Sequence, residues 1–221
     1  PTPLLAPFIK HYWFMKITDV LTEQVRIVPT GFISLIFHRG NRIFSASGNT
    51  FQPKAFLCGH ETVYTDLEYT GQIDMICVVF QPAGAKAFFN LPMSELNGLR
   101  VDIHDLGNQL LSDLQKSLED ALTNEHCVLL IEQFLLNRIK TLADYNLNRI
   151  DTAIRQINYQ PTELNALAES SCLSSRQFNR VFTEYVGTGP KEFQRIIRFQ
   201  RALFTLQHQP EINLAQLSAV F

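Results

Sequence analysis

Residues 161–190 read PTELNALAESSCLSSRQFNRVFTEYVGTGP and predict two short helices joined by a tight turn. Thr162 is a residue type that caps helix N-termini, so the first helix is expected to start there. An apolar stripe follows at spacings of three and four residues: Leu164, Leu167 and Ala168. The run Ser170–Leu173 then predicts the turn between the helices.

The second helix has a start signal and a stop signal. Ser174, followed three residues later by Gln177, has the form of a capping box, in which each side chain bonds the backbone of the other residue. Gly187 is of the type that ends helices in the left-handed conformation, and Pro190 cannot continue one. The sequence therefore predicts a helix over residues 174–186.

This second helix is expected to have two faces of different chemistry. The apolar face should enter a core: Phe178, Val181, Phe182 and Tyr185. The opposite face has the same spacing and is polar: Arg176, Asn179, Arg180 and Thr183. Arginine can donate two hydrogen bonds to guanine, and asparagine can pair with adenine in the same way, so this face is typical of a helix that reads the DNA major groove. A helix whose arginines only face solvent has the same spacing.

The wider pattern resembles the first helix-turn-helix of AraC/XylS-type transcription regulators: Ser174-x-Arg176-x-Phe178-x-Arg180-x-Phe182, then Gly187-x-x-Pro190. The stretch from Lys191-Glu192-Phe193 to Arg198-x-x-Arg201-Ala202-Leu203 resembles the long linker helix of that family. The resemblance covers roughly the last third of the chain. Phe178 stands where leucine is more usual, a difference that bears on packing and not on groove readout.

The resemblance implies DNA contacts from the second helix through Ser175, Arg176, Asn179, Arg180 and Thr183. For the linker helix it implies bracing of the domain or contact with phosphates through Arg198 and Arg201. Charge supports this only weakly, because residues 148–221 contain eight basic and six acidic residues and the whole chain has a net charge of −2.

The composition is that of an ordinary folded protein. The chain of 221 residues is 46% hydrophobic and 18% charged, enough for one large domain or two small ones. No apolar run approaches the ~18 residues that span a membrane, and the opening PTPLLAPFIKHYWF lacks the features of a signal peptide. The four cysteines form no CxxC pair, as expected of reduced thiols: Cys58, Cys77, Cys127 and Cys172. These features predict a cytoplasmic protein.

The first 80 residues are expected to form short strands. Runs rich in Val, Ile, Phe and Tyr alternate with Gly, Pro and Asn turns: Arg26–Val28, Ile33–His38, Arg42–Ser45, Ala55–Leu57, Thr62–Leu67 and Ile73–Phe80. Short strands at near-regular spacing predict a small β-barrel or sandwich. Tyr12-Trp13-Phe14 is expected to form an aromatic edge strand or a plug.

Helices are expected after Phe80. Short ones are predicted at Gln81–Phe89 and Leu91–Leu96. An amphipathic helix is predicted over Asp105–Ala121, with Leu106, Leu110, Leu114 and Leu118 as its apolar stripe. The next helix, Glu125–Leu142, is apolar on more than one face, which indicates either burial between neighbours or a homodimer contact; the dimer through residues 125–142 is our prediction.

The N-terminal part is similar, at fewer positions, to the domain that accompanies a subset of AraC-like regulators. The shared features are the early Tyr12-Trp13, Gly59-His60, Phe80-x-Pro82-x-Gly84 and a Leu-Pro-x-x-Glu-Leu turn. In that family such domains bind effectors, oligomerise, or both. We therefore expect the aromatic residues of this part to line an effector pocket or to form a barrel core. The pocket candidates are Tyr12, Trp13, Phe37 and Tyr64. We predict an α+β protein whose sensing domain spans 1–145 and whose all-α helix-turn-helix domain spans 146–221, joined by a linker at Ala143–Leu147.

The C-terminal region contains a repeat with an offset of 50 residues. Leu164, Leu167 and Ala168 have counterparts at Leu214, Leu217 and Ser218, and Asn213 with Gln216 can cap the later copy. The family has two helix-turn-helix units joined by one long helix. A second recognition helix would begin near residue 224, so only the start of the second unit is expected within this sequence, with weaker operator selectivity as the consequence.

Catalytic or metal chemistry is not indicated. Cys58, His60 and Glu61 lie close together, but a zinc site needs three or four ligands and a catalytic cysteine needs a positioned base. Burial of Cys58 and a surface or hydrogen-bonded His60 is the preferred interpretation. We predict a sequence-specific transcription regulator that binds double-stranded DNA, with no enzymatic role and no cofactor. The alternative is a ligand-binding or scaffolding protein whose helical tail binds another protein.

Overall fold

The computed structural model describes residues 1–19, 22–139, 145–160, 162–209, 211–213 and 216–217. The strands of the described residues are β1 (Ile9–Ile17), β2 (Thr22–Ile27), β3 (Ser34–His38), β4 (Phe44–Ser45), β5 (Thr50–Phe51), β6 (Ala55–Cys58), β7 (Thr65–Thr70), β8 (Ile73–Phe80) and β9 (Arg100–Asp102). Two 3₁₀ turns, Gly84–Ala87 and Met93–Leu96, lie between β8 and β9. The helices are α1 (Gln109–Asp120), α2 (Asn124–Leu136), α3 (Tyr145–Tyr159), α4 (Leu164–Ser170), α5 (Ser175–Val186) and α6 (Pro190–His208).

The strands form two antiparallel sheets. The larger has the order β1-β8-β3-β6-β9 and the smaller has the order β2-β7-β4-β5. Along β8, alternate side chains join different clusters, since Ile76 and Val78 pack with α1 and α2 while Ile73 and Met75 pack with Leu67 of the smaller sheet. The larger sheet therefore lies between a helical layer and the smaller sheet.

Two units can be defined from these contacts. The "sheet module" comprises β1–β9, the two 3₁₀ turns, α1 and α2, and the "helical unit" comprises α3–α6. The helical unit has its own core, to which α3, α4, α5 and α6 all contribute. One residue of the sheet module, Ala83, belongs to that core as well. The protein is thus α+β, and its two parts are packed against each other.

Several predictions about the strands need correction. The sandwich was the right alternative and the barrel was wrong, because both sheets have free ends in their strand order. The predicted edge strand at Tyr12–Phe14 is confirmed, since β1 lies at one end of the larger sheet. The prediction did not include β5 or β9, and β7 begins at Thr65 instead of Thr62. Strands of two or three residues depend on their neighbours and carry little sequence signal.

The helix predictions also differ in detail. In α1 the buried residues are Leu111, Leu114 and Leu118, so Leu110, predicted to be apolar core, points outward instead. The predicted linker Ala143–Leu147 is wrong in its last three residues, because α3 begins at Tyr145; residues 143 and 144 lie outside the described residues. Helix α2 ends at Leu136, before the predicted end at 142, which also lies outside the described residues. Asn213 and Gln216 bond each other's backbone as predicted for a cap, while residues 214 and 218 of the repeat lie outside the described residues.

The neighbouring leucines of α1 provide a test of this packing. Leu111→Ala should lower the free energy of unfolding by about 2–5 kcal/mol, because a fully buried side chain leaves a cavity. Leu110→Ala in the same helix is the matched control and should change it by less than about 0.5 kcal/mol. Urea denaturation of both variants measures the difference, and equal losses would show that the register of α1 is wrong.

Candidate nucleic-acid interface

The turn between α4 and α5 has a specific backbone geometry. Ser171 donates its N–H to the carbonyls of Leu167 and Ala168 at the end of α4. Cys172 then adopts a left-handed φ of 53°. The N-terminus of α4 differs from the prediction, since Glu163 stands at the cap position without a side-chain bond, and the Thr162 hydroxyl donates to the carbonyl of Gln160. The predicted Thr162 cap is therefore wrong.

Helix α5 begins and ends as its sequence predicts. Ser174 accepts a hydrogen bond from the backbone N–H of Gln177, whose side chain in turn accepts from the backbone N–H of Ser174, so the capping box is complete. Gly187 ends the helix with a left-handed φ of 98°. Pro190 is the first residue of α6, where its missing N–H costs no hydrogen bond.

The apolar face of α5 is buried as predicted. Phe178, Val181, Phe182 and Tyr185 are all at most 6% exposed. The ring centroids of Phe178 and Phe182 lie 5.5 Å apart, and those of Phe182 and Phe193 lie 5.6 Å apart. Because Phe193 is on α6, this chain of rings fixes the rotation of α5 in the helical unit.

The polar face of α5 is directed to solvent. Arg176, Asn179 and Arg180 are all exposed. Thr183 is half-buried, and its hydroxyl donates to the carbonyl of Asn179 at 2.7 Å. The Ser175 hydroxyl donates to Oδ1 of Asn165 on α4 at 2.9 Å, so it ties the two helices together. The structure thus presents two guanidiniums and one carboxamide side by side along the first half of α5.

The two arginines of α6 lie in different surroundings. Arg201 donates from Nη2 to the carbonyls of Ile157 and Asn158, and so links α6 to the end of α3. Arg198 is exposed and borders a shallow depression with Thr162 and Glu163.

The end of α5 that is remote from the exposed arginines contacts the sheet module. Lys86 of the first 3₁₀ turn forms an ion pair with Glu184 at 3.4 Å, and its Nζ lies 5.6 Å from the centre of the Tyr185 ring. Gly187 lies against the second 3₁₀ turn, where a Cβ atom would meet the carbonyl oxygen of Met93 at 2.9 Å. The junction of α5 and α6 around Gly187, called the α5–α6 corner below, is therefore packed against both turns. The surface of the sheet module that it contacts is called its seat. The end of α5 that carries the arginines lies outside this contact.

The Cys58, His60 and Glu61 group does not form a reaction centre. Burial raises the pKa of the Cys58 thiol to about 12, and Glu61 is paired with Arg100. His60 is 1% exposed, so the expected surface position is wrong, and neither ring nitrogen makes a hydrogen bond of normal length and angle. Among the described residues, no group of three or more His, Cys, Asp or Glu side chains is placed to hold a metal ion.

The four predicted pocket residues are not brought together. Tyr12 packs toward α2, where its hydroxyl donates to Glu132 at 3.1 Å; burial and that carboxylate raise the pKa of Tyr12. Phe37 is enclosed in the core between the larger sheet and the helices. Trp13 is on the opposite face of β1 and is 46% exposed. Tyr64 is 55% exposed, and the Arg26 guanidinium lies 4.0 Å from the centre of its ring. Successive side chains of a β-strand point to opposite faces, so Tyr12 and Trp13 of β1 cannot line the same pocket.

A cavity of 560 Å³ lies instead between the sheet module and α6. Its lining combines apolar and polar side chains of both units: Lys10, Phe32, Pro82, Ile197, Gln200, Arg201 and Phe204. Lys10 places its Nζ 3.7 Å from the centre of the Phe32 ring, and burial lowers the pKa of this amine. Gln200, one of the lining residues, donates to the carbonyl of Pro29 at 2.5 Å and so links α6 to the segment that precedes β3.

These features describe an α+β protein with an exposed helix-turn-helix unit, and comparisons with known proteins agree in part. Residues 1–102 match the domain of unknown function DUF6597. An uncharacterized HTH-type transcriptional regulator of Haemophilus influenzae is 30% identical over 125 residues, which are 51% of this chain and 42% of that protein. The chain therefore spans less than half the length of this curated relative.

Solved structures resemble the chain only distantly. Unsaturated fatty acid-bound ToxT from Vibrio cholerae matches with 8% identity and a TM-score of 0.40, over 94% of this chain and 84% of that one. The AraC-like transcriptional activator CuxR matches with 9% identity and a TM-score of 0.30, over 83% and 74%. Similarity at this level leaves function to be judged from the site itself. None of the helices among the described residues combines the length and the apolar composition that a membrane span requires.

The seat of α5 can be tested with two glycines that share a left-handed backbone. Gly187→Ala and Gly98→Ala both incur backbone strain of about 1 kcal/mol, since φ is 98° and 71°. A Cβ atom on Gly98 meets nothing within 4 Å, whereas one on Gly187 meets Met93 and His60. Gly187→Ala should therefore cost about 1–3 kcal/mol more than Gly98→Ala in thermal or urea denaturation. Equal costs would mean that the α5–α6 corner is not seated on the second 3₁₀ turn.

Proposed function

We propose that this protein is a sequence-specific transcription regulator of the AraC/XylS kind, which reads the major groove of double-stranded DNA with α5. The observation that carries the proposal is the division of α5 into a fully buried face and a polar face that exposes Arg176, Asn179 and Arg180. Those are the side-chain types that bond base edges, and they lie at the N-terminal half of the second helix of a helix-turn-helix, where such readers are placed.

The other predicted contacts have supporting roles in this proposal. Ser175 and Thr183 border the reading face, and each side chain also makes a hydrogen bond within the helical unit. Arg201 braces α6 against α3, while the exposed Arg198 is available to a phosphate. The division into a sensing part (1–145) and a DNA-binding part (146–221) in a cytoplasmic protein belongs to the same proposal. The H. influenzae relative supports the regulatory part of this proposal alone, because its name describes an HTH-type transcriptional regulator.

A partner protein is the alternative ligand of the helical unit. The observation that favours it is the exposure of two aromatic residues on α6, Phe199 at 44% and Phe204 at 60%. The two functions respond differently to salt. Binding through phosphates weakens steeply as salt rises, whereas an apolar protein contact does not. Titration against duplex DNA at low and physiological salt separates them, and binding that no salt concentration weakens would count against the DNA proposal.

Asn179 provides the sharpest test of base readout. Asn179→Ala should cost about 1–3 kcal/mol of specific binding and relax the preference at one base position, because the carboxamide pairs with a base edge. Arg180→Ala should act at a neighbouring position. Selection from randomised duplexes measures both.

The control for lost positive charge is Arg42→Ala, an exposed arginine of the sheet module. It should leave the base preference unchanged. If Asn179→Ala selects the same sequence as the wild type, Asn179 does not belong to the reading face.

We also infer that the 560 Å³ cavity is the effector site, in place of the four aromatic residues expected from the sequence. The volume is in the range of small-molecule sites, and the lining is mainly apolar with a few polar groups. Since the sheet module and α6 both line it, a ligand there contacts both units at once. Native mass spectrometry of the purified protein detects a retained ligand, and Phe32→Ala together with Ile197→Ala should reduce its occupancy.

A homodimer through residues 125–142 remains a prediction. Fewer apolar residues of α2 are exposed for this contact than the sequence suggested. Phe134 and Leu135 belong to the core of the sheet module, so they satisfy the first alternative, burial between neighbours. Leu129 and Leu136, seven residues apart on α2, are 54% and 38% exposed. This spacing places them two turns apart on one face, where a second copy could cover them.

Substitution of these leucines tests the dimer without disturbing the core. Leu129→Arg combined with Leu136→Arg should convert a dimer into a folded monomer, as measured by sedimentation and circular dichroism. Leu110→Arg, at an exposed leucine of α1, is the control and should remain dimeric. A wild-type chain that sediments as a monomer at high concentration contradicts the prediction.

A further inference from the structure

His60 occupies the seat of the α5–α6 corner. Its side chain lies between the sheet module and the helical unit and is 1% exposed. The imidazole makes an edge contact with the Phe193 ring, with centroids 6.3 Å apart and planes at 88°. Its Cδ2 atom would be 3.1 Å from a Cβ atom on Gly187, and its backbone carbonyl accepts the N–H of Gly98 at 2.8 Å. His60 therefore touches the end of the reading helix and the start of α6.

The ring of His60 lacks a regular hydrogen bond. Neither Nδ1 nor Nε2 makes one of normal length and angle in the described structure, although the Val186 backbone interacts with the ring. Buried polar groups are nearly always bonded, and an exception calls for a physical explanation. A neutral imidazole pays a moderate desolvation cost in this place, but an imidazolium would be a buried, unpaired charge with a far larger cost. Burial accordingly lowers the pKa of His60 to about 4, and the interaction with the Val186 backbone, which favours the protonated ring, offsets only part of this effect.

The surrounding charges do not compensate a proton on this ring. Glu61 is engaged by Arg100, Glu184 by Lys86, and Glu192 by Arg195. The Cys58 thiol is neutral at physiological pH because its pKa is about 12. Two further charged residues of the adjoining elements are exposed to solvent: Glu95 and Lys191. Among the described residues, no carboxylate is thus left unpaired inside the closed interface to receive an imidazolium.

We propose that His60 is a proton-operated latch between the sheet module and the helical unit. The neutral ring holds the α5–α6 corner in its seat. A protonated ring leaves the interface, and the corner is released together with the reading helix. The latch itself follows from the packing, and only its consequence for transcription rests on the proposed DNA binding.

The direction of the pH effect follows from the two environments. In the released state the ring has an ordinary pKa of about 6.5, whereas in the seat it takes up a proton only near pH 4. Above about pH 6.5 the proton has no effect on the equilibrium. Between these two values, each unit of decrease in pH raises the ratio of released to seated molecules by about tenfold, which amounts to about 30-fold at pH 5.

Hydrogen–deuterium exchange of the full chain measures the release directly. Peptides that cover 184–193 are followed at pH 7.5, 6.0 and 5.0, with rates corrected for intrinsic exchange. The wild type should lose protection by at least about tenfold at pH 5. His60→Leu fills the seat with a side chain that takes no proton, so its protection should not change with pH. His126→Leu, at an exposed histidine of α2, is the matched control and should behave as the wild type.

Two outcomes overturn the proposal. One is wild-type protection of residues 184–193 that is the same at pH 7.5 and 5.0. The other is a loss in His60→Leu equal to that of the wild type, which would assign the effect to carboxylates such as Glu184. If His60→Leu does not fold at pH 7.5, His60→Gln takes its place. Histidine-detected NMR of the wild type is a second measurement, and a ring of His60 that titrates near pH 6.5 in the seated protein also overturns the latch.

DNA binding is measured separately, so that the two proposals fail independently. If the latch operates but no duplex binds at any pH, the proposed function is wrong and the latch stands. If duplex binding is specific at pH 7.5 and residues 184–193 show no pH response, the function stands and the latch is wrong.

Discussion

The seating of the α5–α6 corner is the constraint on which the rest of the molecule depends. Helix α5 must bury its aromatic face in the helical unit, and at the same place Gly187 must fit against Met93 and His60 of the sheet module. Only a residue without a Cβ atom satisfies both demands, because the corner needs a left-handed φ and has no room for a side chain. Gly187 is therefore needed both to end α5 and to let the helical unit pack against the sheet module.

This arrangement explains why the polar face of α5 is accessible. The sheet module holds the C-terminal end of the helix through the Lys86–Glu184 ion pair and the two 3₁₀ turns. A partly exposed ion pair adds little stability on its own, so apolar packing around Phe193 and Gly187 supplies most of the attachment. Arg176, Asn179 and Arg180 are in the first half of the helix and are exposed to solvent. Seating and groove reading are therefore compatible in the same conformation.

The polar groups at the two ends of α5 differ in whether they are hydrogen-bonded. At the N-terminus, Ser174 and Gln177 satisfy each other's backbone, and the helix starts at a defined residue. At the C-terminal seat, the His60 ring is enclosed, and among the described residues neither of its nitrogens makes a hydrogen bond of normal length and angle. The first arrangement makes the helix stable in itself, whereas the second makes its attachment depend on the protonation state of one side chain.

The sequence by itself determined the elements whose signals are local. The capping box at Ser174, the left-handed Gly187 and the aromatic stripe of α5 each lie within a few residues, so they could be predicted and were found. The same reasoning could have found α3, whose buried residues Ile150, Ala153, Ile154 and Ile157 have helical spacing. Only the tertiary structure decided the short strands β5 and β9, the burial of Leu111 in place of Leu110 and the separation of Tyr12 from Trp13. It also decided the burial of His60, because a side chain's surroundings are set by segments far away in the chain, here Gly187 and Phe193, whose approach no local pattern encodes.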